Sequence, residues 1–164
     1  MIDQQKVFVQ IALNNWNLQI SRADKVFNSY NDNDFFKEVA PNKNRIIYLY
    51  GHLAIYHDLL KETLGIGSSK YSSLVPIFLQ HPDSPDAEMP SVGELKALWA
   101  DVHNELNTLF INLPIEEWFK RHNAMTNADF EIDPTRNRLS VLINRGNHVA
   151  YHLGQVALLK PEID

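Results

Sequence analysis

Eight prolines divide this chain, and their positions limit its fold more than any other feature. They stand at 41, 76, 82, 85, 90, 114, 134 and 161. Proline lacks an N–H and collides with the preceding turn, so it ends helices rather than sitting inside them. The stretches free of proline, 1–40, 42–75, 91–113 and 135–160, are therefore where long helices can form.

Each stretch carries helical periodicity. Val9, Leu13, Trp16, Ile20, Ala23, Phe27 and Tyr30 form one apolar stripe, which predicts a helix over about 3–30. The polar run Asn31 to Asp34 ends it. Ile46, Leu49, Tyr50, Leu53, Tyr56, Leu60 and Leu64 predict a second helix over about 43–64, with Asn42 or Asn44 as N-cap and Gly65 just past its end. Ser91 and Glu94 have capping-box spacing, and Leu95, Trp99, Val102, Leu106, Leu109 and Leu113 extend a third helix to Pro114. A fourth is predicted over about 138–160.

Sustained alternation bounded by hairpin dipeptides is missing, so the expected class is all-α. The expected architecture is one domain over 1–164, a four-helix bundle. The connections 65–90 and 115–137 are long. The first is expected to return along the bundle so that the third helix runs parallel to the second, and the second to hold a short turn around Ile115 to Phe119. Either can form a lid, with Tyr71, Phe78, Trp118 and Phe130 as candidates to line one.

Composition sets the chemistry. The chain has 164 residues and no cysteine, which removes disulfides, zinc ribbons, iron–sulfur clusters and a cysteine nucleophile. A transition metal would have to be held by His, Asp or Glu. A net charge of −5 argues against a nucleic-acid surface. No apolar run approaches the roughly 20 residues of a membrane span. The N-terminal residues lack a basic segment followed by an apolar one, so the expected location is the cytoplasm.

The seven histidines carry the sharpest signal. His148 and His152 are four apart on the fourth helix and share a face, so both imidazoles can converge on one ion. A solvated histidine pair is the bland alternative. Val149 follows the first histidine, so the zinc-protease helix with its glutamate base is excluded. A third ligand could come from His52 or His57. These differ by about 140° around the second helix and cannot both serve one ion. Periodicity leaves that choice open. His103, between Trp99 and Leu106, reads as a packed residue. His81 and His122 fall in connections and are expected to be solvated. Gly146, Ala150 and Gly154 form a small-residue row suited to a close helix neighbour, within the chain or in a partner subunit.

Leu49-Tyr50-Gly51-His52-Leu53 together with Asn147-His148-Val149-Ala150-Tyr151-His152-Leu153-Gly154-Gln155 resembles the DinB-like metalloenzyme family of bacterial four-helix bundles, over nearly the whole chain. The resemblance implies His52, His148 and His152 as ligands of a divalent metal, an up-down-down-up bundle with long crossovers, and a homodimer. Leu153 departs from the pattern, since many relatives carry a basic residue there. Three neutral imidazoles leave an ion its full charge and an open position. Zn or Ni is expected first, and Fe also accepts imidazole. Such an ion can activate water or bind a thiol as thiolate. The expected function is a metal-dependent enzyme acting on a small molecule, either a hydrolase or an S-transferase using a low-molecular-weight thiol. The resembled family includes S-transferases and isomerases that use low-molecular-weight thiols other than glutathione, and a hydrolase is the other natural use of such a site. The alternatives are a non-catalytic metal- or ligand-binding bundle in a stress response, and a dimeric helical module with structural histidines.

Overall fold

Residues 3–161 are described by the computed structural model, and among them every regular element is helical. Four long helices dominate: α1 (Gln4–Phe27), α2 (Ile46–Asp58), α4 (Val92–Asn112) and α6 (Arg138–Val156). The short α3 (Leu60–Leu64) continues α2 through Leu59, which keeps helical dihedrals. The short α5 (Asn127–Ile132) lies in the connection before α6. None of the described helices is long and apolar enough to cross a membrane.

The helix ends follow local chemistry. Asp3 caps α1 by accepting from the amides of Gln5 and Lys6. The Ser91–Glu94 capping box forms as expected, and a second one, Thr126–Asp129, starts α5. Gly65 ends α3 in the left-handed region at φ 68°, where an L side chain would be strained. The start of α2 differs from expectation. Neither Asn42 nor Asn44 caps it. Asn42 sits in a turn at φ 59°, and Glu38 bridges Arg45 across that turn. The helix begins at Ile46, and the Arg45 amide donates instead to the Asp83 carboxylate at 2.7 Å. Residues 157–160 lie beyond α6, so the fourth helix is shorter than its periodicity suggests.

Specific pairs fix how the long helices meet. Gly146 of α6 lies against Asn15 of α1, and just past the ends of the same two helices Tyr30 donates to the carbonyl of Leu159. The small-residue row thus seats α1 at Gly146, whereas a Cβ on Gly154 would meet open space. Between α2 and α4, the rings of Tyr50 and Trp99 stack at 5.1 Å, and between α3 and α4 Lys61 pairs with Glu105 at 2.8 Å. Across α1 and α4, Trp99 donates to Asp24. Buried aromatic residues, among them Trp16, Phe27, Phe35 and Trp99, fill the core between these helices.

The 65–90 connection packs on α2. It contains a 3₁₀ turn, Ser72–Leu74, and a π-helical turn, Pro76–Gln80, whose Phe78 is fully buried. The 115–137 connection begins with the expected turn, a 3₁₀ helix at Ile115–Phe119, whose Trp118 packs edge-on against Phe110.

Candidate metal centre

The fold brings His52 of α2 and His148 and His152 of α6 together. One ligand atom from each lies within 4.8 Å of the others. His148 Nε2 is 3.2 Å from His52 Nε2 and 2.9 Å from His152 Nε2. Two nitrogens bound to one tetrahedral zinc at about 2.0–2.1 Å would sit roughly 3.3 Å apart, so the observed spacing is near what an ion needs.

The outward-facing nitrogens explain why these atoms converge. His52 Nδ1 donates to the Phe78 carbonyl at 2.8 Å, and His152 Nδ1 donates to Gln155 Oε1 at 2.7 Å. Each bond places the proton on Nδ1 and leaves the Nε2 lone pair facing inward. His148 Nδ1 is buried and has no hydrogen-bond partner among the described residues. With three Nε2 atoms meeting, lone pairs oppose one another unless a proton or a cation lies between them. That is the chemistry of a metal-ligand set, and the residues present fit a divalent ion.

The surroundings keep the imidazoles neutral. Burial is the main cause of the lowering at all three, with His148 pushed down to about 3. Neighbouring imidazoles add to it at His148 and His152, as does Arg145 at His52 and His148. Neutral imidazole is the ligating form. Tyr56 packs edge-on against His52 and His148 at ring distances of 5.0 and 5.1 Å. The Arg145 guanidinium lies over the Tyr56 ring, 4.3 Å from its centroid.

The remaining histidines separate cleanly. His57 is fully buried on the opposite side of α2 and faces His103, with Nδ1 and Nε2 2.9 Å apart. His103 Nδ1 donates to the Trp99 carbonyl, so its Nε2 accepts from His57 Nδ1. His81 is exposed, as its connection suggests. His122 is not: only 9% of it is accessible, contrary to the solvated reading. Asn123 explains this, because its amide and side chain bond the carbonyls of Thr63 and Glu62 and hold the connection down on α3.

Two contributors were not singled out as site residues by periodicity. Phe78 offers its backbone carbonyl from a proline-rich connection. Gln155 stands at the end of the Asn147–Gln155 segment, three residues after His152. Of the four lid candidates, Phe78 alone touches the histidine cluster, while Trp118 is buried elsewhere. Leu153 packs partly buried against the core, so the cation closest to this cluster in sequence is Arg145.

The family model for the DinB superfamily matches residues 16–156, and the chain belongs to that superfamily. None of the curated proteins compared with the chain matches it.

Proposed function

We propose that this protein is a metal-dependent enzyme acting on a small molecule, with His52, His148 and His152 as the ligands of one divalent ion. The observation that carries this reading is the convergence of three Nε2 atoms, two of them with their outer nitrogens committed to Phe78 and Gln155. Zn or Ni is the expected metal, with Fe acceptable to the same donors. The bound ion would supply a Lewis acid with an open position, able to lower the pKa of a coordinated thiol or water. Between the two reactions, S-transfer from a low-molecular-weight thiol is favoured over hydrolysis. The groups on the trio are the Phe78 carbonyl, the Gln155 amide and the Tyr56 ring, none of them a carboxylate to serve as general base toward water, which a thiol of lower pKa does not need.

The proposal has an architecture. One domain spans 1–164 as a four-helix bundle, running up-down-down-up. The pairs Tyr50–Trp99, His57–His103 and Lys61–Glu105 rise together in number along α2 with its continuation α3 and along α4, which supports a parallel pair. Tyr30–Leu159 and Asn15–Gly146 do the same for α1 and α6. A homodimer is supported by the α1 stripe of Phe8, Ile11 and Leu18, each about half exposed or more. The absence of cysteine suits a cytoplasmic protein.

The test is metal content. Untagged wild-type protein should carry close to one divalent ion per chain by elemental mass spectrometry. His52→Ala, His148→Ala and His152→Ala should each lose it, and His57→Ala should keep it. Metal-free wild type refutes the reading, and loss in His57→Ala with retention in His52→Ala overturns the ligand set. Loaded protein screened with thiol acceptors and with esters then separates S-transfer from hydrolysis.

A further inference from the structure

Arg145 stands out among the polar groups beside the histidine trio because none of the described residues answers its charge. Its Nε is buried without a hydrogen-bond partner, and among the described residues no carboxylate pairs with it. One face of the guanidinium rests on Tyr56. Burial works against the charged form, yet arginine stays protonated in proteins. A half-buried cation without a counter-charge is costly to keep.

The same side chain lines a cleft of about 310 Å³ together with Thr63, His122, Arg136, Ser140 and Asn144. None of these is acidic. The Ala124 amide donates to His122 Nδ1, which places that ring's proton on Nε2 and makes it a donor. Arg136 is exposed and adds a second positive charge. The cleft therefore offers donors and positive charge one helical turn from His148, through the Tyr56 ring that touches both Arg145 and the trio.

We infer that this cleft holds the carboxylate end of the small molecule on which the histidine trio acts, with Arg145 as its main partner. The inference rests on the reading of the trio as a reaction centre. A carboxylate is the natural match: it is flat, carries one charge and can meet the guanidinium fork side by side. Arg145 would bind one end of the molecule and set the distance from which its other end reaches the three imidazoles. Arg145 is then a binding and positioning residue, and Arg136 draws anions toward the cleft.

The test does not need the natural substrate. In metal-free ¹⁵N-labelled protein, the Arg145 Nε–H resonance is assigned by its loss in Arg145→Gln. Sodium propionate should move it saturably, while methyl propionate leaves it in place and the exposed Arg22 Nε–H does not respond. No movement, equal movement with the ester, or parallel movement at Arg22 overturns the inference. Inorganic phosphate binding tenfold more tightly than propionate would overturn the choice of carboxylate. In metal-loaded protein, calorimetry should show 3-mercaptopropionate binding at least tenfold more tightly than its methyl ester. That preference should fall below twofold in Arg145→Gln and partly return in Arg145→Lys. A preference unchanged in Arg145→Gln overturns the inference. The propionate titration uses wild-type protein without metal, so it stands or falls independently of whether the trio binds an ion.

Discussion

The ring of Phe78 occupies the space that a side chain on Gly51 would need. A Cβ at Gly51 would lie 2.2–2.6 Å from three of its ring atoms. This close approach lets the π-helical turn settle on α2 and brings the Phe78 carbonyl to His52 Nδ1. Gly51→Ala should therefore act at two levels. Phe78 is fully buried and cannot swing aside, so overpacking should cost about 1–3 kcal/mol in urea unfolding. Displacing the carbonyl should also loosen His52 and weaken zinc binding in a chelator competition. Unchanged stability and affinity would show that the turn relaxes freely.

Gln155 orients the other end of the trio. Its Oε1 fixes the tautomer of His152, and removing such a partner usually lowers metal affinity about 10–100-fold. Gln155→Leu should show a loss in that range for zinc. Tyr151→Phe should not, because it removes only the long contact of 3.3 Å to Gln155 Nε2 on the exposed side. Equal affinities in Gln155→Leu and wild type would remove the amide from the site.

These two supports show where the sequence was legible. His148 and His152 could be paired because four residues on a helix return to the same face. His52 and His57 could not be separated by period, and the reason is physical. Nearly every residue of α2 is buried, from Ile46 to Asp58, with only His52 and Tyr56 partly accessible. A helix without a solvated face gives periodicity no phase, so the resemblance had to choose. His122 looked solvated because a connection has no period at all, and its burial depends on Asn123 reaching back to α3. Arg145 was visible only as a neighbour of His148, because its missing counter-charge is a property of the folded surroundings.

Lys61 illustrates a charge that does have its partners. It is fully buried and pairs with Asp58 and Glu105 at 2.8 Å each. Asp58 also accepts from the amides of Lys70 and Tyr71, tying the 65–90 connection to α2. Lys61→Met would leave the buried Asp58 charge without its cation and should cost about 3–5 kcal/mol. Asp58→Asn added to it should recover much of that loss, since the amide oxygen can still accept both backbone bonds. Glu105→Gln should cost about 1 kcal/mol or less, because that carboxylate is partly exposed. Denaturant melts of wild type, of Lys61→Met, Asp58→Asn and Glu105→Gln, and of the double variant check the ordering, and an additive double variant would contradict the coupling.

The His57–His103 pair should make stability depend on pH. Burial holds His103 down at about 4 and His57 well below its usual value. In the unfolded chain both return to about 6.5. Between these limits the unfolded state binds protons that the folded pair refuses, so stability rises with pH. The contribution is complete above about pH 6.5 and is lost as pH falls toward 4. For His103 alone the difference between pH 7 and pH 5 is about 2 kcal/mol. Urea unfolding of metal-free protein at those two pH values should show a loss of at least that size. Replacing both residues, His57→Leu with His103→Leu, should flatten the profile relative to wild type. Either single replacement leaves a buried nitrogen of the other ring without its partner, so the double variant should lose less stability at pH 7 than either single one. An identical pH profile in wild type and double variant would mean that the pair already ionises in the folded state.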